Sequence, residues 1–126
     1  MNPKIDAVGV TSSSLSKTIE FYTLLGFDFP NISDNEDHVE ATNAGIRLMI
    51  DSEALITDLL GEAPRPANTS VFALLYDSPE LVNATASHLQ NNKFTIVKEP
   101  WDAFWGQRYC VVEDPDGYRI DLFARL

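Results

Sequence analysis

One order of elements, strand–helix–strand–strand–strand, can be read twice along the chain, and that repetition restricts the available folds more than any other feature. In the first copy, Ile5–Thr11 alternates as a strand, with Val8 and Val10 on one face. Ser12, Ser13 and Ser14 supply hydroxyls of the kind that cap helices. Leu15, Ile19, Tyr22 and Leu25 then recur at spacings of three or four, predicting a helix over Leu15–Leu25. Gly26 stands where that helix needs a left-handed residue to end. Phe27–Phe29 reads as a short strand closed by Pro30, and Asn31–Asp37 is polar and turn-like. His38–Thr42 and Ile46–Asp51 read as two strands joined through Asn43-Ala44-Gly45, a hairpin signal.

Residues 53–68 read as a linker. Leu55–Leu60 could form one helical turn or two, and Pro64 and Pro66 bar any continuation. The second copy follows. Ser70–Tyr76 is a strand, and Ser78-Pro79-Glu80 opens a helix that runs to about Asn91. Phe94–Glu99 is a strand, Trp101–Gly106 a loop, and Arg108–Glu113 and Tyr118–Ala124 the closing hairpin. Asp114-Pro115-Asp116-Gly117 between them is a strong turn, because proline presets the backbone and glycine tolerates positive φ. One domain is expected, with module one at about 1–52 and module two at about 69–126. Each module alone leaves one sheet face bare. The predicted architecture is α+β: two βαβββ modules forming a curved, eight-stranded mixed sheet, helices on the outer face and a hollow inside.

Charge narrows the partners. Nine Lys and Arg face 19 Asp and Glu, a formal net charge of −10. Such a chain repels phosphate backbones and anionic lipid, so neither nucleic acid nor membrane is an expected partner. Cys110 is the only cysteine, which excludes an internal disulfide and a thiolate metal cage. Its apolar strand neighbours predict an inert, buried thiol. The start, MNPKIDAVGV, lacks a basic segment followed by a long apolar run, so a cytoplasmic protein is expected.

The element order, together with AVGVTSSSLSKTIEFYTLLGF and WGQRYCVVEDPDGYRIDLF, resembles the vicinal oxygen chelate superfamily of glyoxalases, extradiol dioxygenases and bleomycin-resistance proteins. The resemblance spans nearly the whole chain. Phe21-Tyr22 and Leu25-Gly26-Phe27 match the close of its first helix, and the DPDG hairpin matches its final one. It implies a divalent ion held by His, Glu or Gln on the inner sheet face, with open positions for two vicinal substrate oxygens. The matching places here are Ala7, Met49, a position near Ser70, and Asp121. Three of these are poor ligands, and one carboxylate does not hold such an ion firmly. His38, beside Asp34, Glu36 and Asp37, and His88, on the second helix, are expected at the surface. No metal and no cofactor are therefore expected.

Alternation then assigns faces. With Ile120 and Leu122 packed under the helices, Arg119, Asp121 and Phe123 face the hollow. With Leu48 and Ile50 packed outward, Arg47, Met49 and Asp51 face in. With Val71, Ala73 and Leu75 packed outward, Phe72, Leu74 and Tyr76 face in. Apolar and aromatic walls with a few charges describe a small-molecule pocket. The alternative is that Arg47–Asp51 and Arg119–Asp121 are plain ion pairs filling a concave sheet. Trp101, Phe104 and Trp105 add rings able to stack on a planar or cationic ligand, or to form a core lid or dimer contact. Trp-Gly-Gln-Arg resembles a run among the superfamily's metal-free members, whose bleomycin-resistance proteins sequester cationic aromatic drugs at a dimer interface. The expectation is a metal-independent protein of this type, a homodimer binding a small aromatic or cationic molecule. The alternative is a metal-dependent lyase or dioxygenase with an atypical ligand set.

Overall fold

The computed structural model describes residues 5–65 and 71–126. The chain divides into two compact units, Met1–Arg65 and Pro66–Leu126. In the first, the elements are β1 (Ala7–Ser12), α1 (Leu15–Leu25), β2 (His38–Glu40), β3 (Arg47–Ser52) and α2 (Glu53–Leu60). β3 is the central strand: β1 lies parallel to it and β2 antiparallel. Register sets Val8 against Leu48 and Val10 against Ile50. Val10, Leu48 and Ile50 of that row, with Val39, are buried along with Phe21, Tyr22 and Leu25 of α1. Each fully buried apolar side chain of this size contributes about 1.5–3 kcal/mol. Phe21 and Tyr22 meet edge to face at 5.0 Å.

The helix signals behave differently at the three N-termini. Ser14 occupies the cap position of α1, yet its side chain makes no capping bond. Ser12 turns inward instead, accepting from the Ser14 N–H at 3.1 Å and sharing a 2.7 Å hydrogen bond with buried Thr18. Ser52 and Ser78 do cap, accepting from the N–H groups of Leu55 and Leu81. Gly26 ends α1 at φ 115°, as its position in the sequence requires.

Two expectations for the first unit change. Phe27–Phe29 forms no strand. Asn43 takes over its pairing, accepting from the Asp28 N–H at 2.8 Å and donating to the Gly26 carbonyl at 3.1 Å. The expected linker begins as a helix of two turns, α2, which Gly61 ends.

The second unit holds β4 (Val71–Leu75), α3 (Pro79–Asn91), β5 (Thr95–Ala103), β6 (Gln107–Glu113) and β7 (Arg119–Arg125). Its strand order is β4-β7-β6-β5, parallel between β4 and β7 and antiparallel elsewhere. Val82, Ala86 and Leu89 recur along α3 and are buried, as are Cys110, Val112, Ile120, Leu122 and Ala124 on the sheet. Among the described residues the strands therefore form two mixed sheets, of three and four strands, in place of the eight-stranded sheet expected. The α+β class stands. Ser70 lies outside the described residues.

The closing turn is held by Asp114, which is buried and not solvated as its charge suggests. One of its oxygens accepts from the N–H groups of Asp116 and Tyr118, both at 2.9 Å, and Gly117 takes φ 92°. β5 runs past Pro100, so Trp101 belongs to a strand and not to a loop. β5 is an edge strand, where a missing N–H breaks no ladder, and its register with β6 shifts on either side of Lys98.

Candidate functional site

Each sheet has one row that packs and one that does not. In the first unit, Arg47, Met49 and Asp51 alternate with buried Leu48 and Ile50, as expected. Register brings His38 opposite Asp51 and Glu40 opposite Met49. A charged chain results. His38 Nδ1 lies 2.5 Å from Asp51 and Nε2 lies 2.8 Å from Glu40. Arg47 then donates to both oxygens of Glu40, at 3.0 and 2.7 Å, and to Asp6 at 2.9 Å. The Arg47–Asp51 pair of the alternative reading does not form. Hydrogen bonds to Asp51 first and Glu40 second raise the His38 pKa above its ordinary 6.5. Arg47, then His38, lower that of Glu40 to about 2.

His38 is thus more than a surface histidine among acidic neighbours. Two carboxylates satisfy both ring nitrogens only when both carry protons, so this geometry is that of an imidazolium. A ring so engaged has no free nitrogen to act as a base.

In the second unit the row turned away from α3 is aromatic. Tyr109 is its hub. Its ring stacks on Phe123 at 5.9 Å and meets Trp101 at 5.6 Å and Trp105 at 5.4 Å, edge to face. Trp101 and Trp105 meet at 6.1 Å. The Tyr109 hydroxyl donates to Asp121 Oδ2 at 2.5 Å. Burial, then the Asp121 carboxylate, push the Tyr109 phenol up to about 12, so it remains a donor at neutral pH. Lys98 places its Nζ 4.0 Å from the centre of the Trp101 ring. Trp105 donates its indole N–H to Gln107 at 2.9 Å. Trp105 is 49% exposed and Phe104, at the hairpin tip, 96%.

Arg119 lies in this row but answers Glu113, at 3.8 Å, and not Asp121. The second ion pair of the alternative reading is therefore also absent. β4 reverses the expected facing. Phe72 pairs with Ile120 and Leu74 with Leu122, which puts both on the α3 side. Tyr76 hydrogen-bonds with Thr85 of α3, and burial raises its phenol. Ala73 and Leu75 share the Asp121 side instead. Phe72 and Tyr76 thus leave the aromatic row, while Trp101, Trp105, Arg119 and Asp121 stay with it. Tyr109 and Lys98 join it. Alternation from Phe123 through an antiparallel partner would have found Tyr109; the shifted register around Lys98 gave no such signal.

A separate cavity of about 580 Å³ lies in the first unit. The first turns of α1 line it with Ser14, Leu15 and Ile19, and residues 30–37 add Asn31, Asp34 and Asp37. None of the site residues expected from sequence lines it.

These features can now be set beside known proteins. The profile of the glyoxalase/bleomycin resistance protein/dioxygenase superfamily matches residues 4–122. The chain belongs to that superfamily. No curated protein is a detectable match to it. Its fold is similar to that of a glyoxalase/bleomycin resistance protein/dioxygenase from Nocardioides, with 23% identity, a TM-score of 0.74, and coverage of 100% of this chain and 85% of that one. A superfamily enzyme from Burkholderia phytofirmans superimposes with a TM-score of 0.83 at 12% identity, covering 98% and 100%. A lactoylglutathione lyase from Agrobacterium tumefaciens gives 0.70 at 11%, covering 98% and 94%. At such identities these likenesses concern fold alone.

The superfamily's divalent ion can be tested against the donors present. Ala7 offers none, Met49 offers a soft thioether, and Asp121 Oδ2 already accepts from Tyr109. Among the described residues no three His, Cys, Asp or Glu side chains are grouped to hold a metal ion. These donors do not fit such an ion.

Proposed function

We propose that this superfamily member is a metal-independent binding protein that holds a small aromatic molecule against the ring-bearing face of its second unit. The observation carrying this reading is the Tyr109 hub. Phe123, Trp101 and Trp105 surround it, and Asp121 is fixed at its edge. Rings held by one another lose little freedom when a planar ligand stacks on them, and a carboxylate at the rim orients polar groups. In this reading the protein is cytoplasmic and homodimeric, with no nucleic-acid or membrane partner. Among the described residues no helix is long and apolar enough to cross a membrane.

Tryptophan fluorescence and calorimetric titration test the reading, first with a bleomycin-type glycopeptide and then with simpler aromatic compounds. Saturable quenching that Trp101→Ala abolishes supports it. No heat and no quenching across the set overturn it. Stoichiometric zinc, iron, nickel or manganese in protein purified without chelator would replace it with the metal-dependent enzyme. Sedimentation as a monomer at micromolar concentration removes the dimer.

A further inference from the structure

The Lys98 side chain has two ways to spend its charge: in water, or on a ring. It lies over Trp101, 4.0 Å from the ring centre, and among the described residues it forms no ion pair. The ring face therefore already carries a cation, one supplied by the protein itself. Cross-strand register adds a second point. Lys98 pairs with Val111 and Val111 with Asp121, so the two charged residues are set on one row across three strands. At about 4.8 Å per strand spacing, that row spans about 10 Å, the length of a small aromatic molecule with a side arm. Tyr109 and Phe123 lie alongside that row on the same face, two residues further along the sheet.

We propose that Trp101 is a subsite for the ammonium group of an aromatic amine or quaternary ammonium ligand, and that Lys98 is its built-in competitor. The proposal rests on the aromatic site described above. A tethered ammonium at this ring acts as a local rival at high effective concentration, so only a cation that binds the ring more strongly displaces it. A quaternary ammonium meets that condition, since it is more weakly hydrated than a primary ammonium and loses less on leaving water for a π face. Neutral aromatic compounds gain nothing from displacing Lys98, because the ring face they reach is no better for them than the ring beside it. Lys98 thereby filters ligands by charge. The net charge of −10 draws cations to the surface in the first place.

The test uses benzyltrimethylammonium and benzyl alcohol as probes, titrated into wild type, Lys98→Met and Lys98→Arg while tryptophan fluorescence is followed. Methionine keeps the length of the stem and removes the charge, whereas arginine restores a cation over the ring. Lys98→Met should bind benzyltrimethylammonium about 2- to 5-fold more tightly than wild type, the range set by a surface cation–π contact. Lys98→Arg should stay at the wild-type value, and benzyl alcohol should not distinguish the three. Equal affinity of wild type and Lys98→Met for benzyltrimethylammonium overturns the competitor role and leaves the aromatic site standing. If neither probe quenches any of the three folded proteins, the aromatic site itself falls, and the role of Lys98 with it.

Discussion

Tyr109 on β6 gives its hydroxyl proton to Asp121 on β7 across 2.5 Å, which ties the hub of the aromatic row to the carboxylate beside it. Two causes hold the phenol at about 12, and they separate by mutation. Asp121→Asn removes the second and leaves the first, burial. The phenol should then move part of the way back towards 10, its ordinary value. Spectrophotometric titration of wild type, Asp121→Asn and Tyr109→Phe resolves this. An alkaline phenol step that is the same in wild type and Asp121→Asn would show that the carboxylate does not act on Tyr109.

His38 makes stability depend on pH in a definite direction. Its pKa is raised in the folded chain, so its contribution is fully present below the unfolded value of 6.5 and is lost as pH rises through the higher folded value. The melting temperature of wild type should therefore exceed that of His38→Asn most at about pH 5.5, and the gap should narrow above neutrality. Thermal unfolding at stepped pH measures this. Proton NMR should place the His38 midpoint above 6.5. A gap that widens with rising pH would contradict the ion-paired geometry.

Cys110 is fully buried between Val112 and the β7 residues Leu122 and Ile120, and burial drives its thiol up to about 12. A neutral, enclosed sulfur reacts only when the sheet opens. Ellman's reagent should modify native protein at the rate of unfolding and denatured protein within the mixing time. Cys110→Ser would put a hydroxyl in the same apolar place and cost about 1–3 kcal/mol. Rapid modification of the native thiol would count against its enclosure.

The helices were legible because their signals are local: α1 and α3 follow from spacing, a C-terminal glycine and a capping serine within one segment. The facing of β4 was not. Val71-Phe72-Ala73-Leu74-Leu75 is apolar on both parities, so alternation has no phase until β7 supplies one. The strand at Trp101 is masked in sequence by Pro100, yet on an edge strand a proline breaks nothing. His38 is exposed, as its acidic neighbours suggest, but the partner it uses, Asp51, comes from across the hairpin. The aromatic row was half visible. Its tryptophans stand out in composition, but the tyrosine that joins them is recognised only through antiparallel register.

Asn43 replaces a strand with a single side chain, and that substitution of means can be tested. Its amide accepts from the Asp28 N–H and donates to the Gly26 carbonyl, and the Thr42 N–H reaches the Asp28 carbonyl at 2.8 Å. With the Thr42 hydroxyl donating to the same Asp28 carbonyl at 3.2 Å, four hydrogen bonds fasten the residues after α1 to the β2–β3 hairpin, two of them through the exposed Asn43 side chain. A net hydrogen bond contributes about 0.5–1.5 kcal/mol. Asn43→Ala should cost about 1–3 kcal/mol, while Asn43→Asp, which keeps the acceptor and loses the donor, should cost about half as much. Denaturant unfolding gives the totals, and amide exchange gives the location: protection at Asp28 should fall in Asn43→Ala and survive in Asn43→Asp. Unchanged exchange at Asp28 in the alanine variant would mean that the bonds from Thr42 suffice, and that the segment needs no clamp from Asn43.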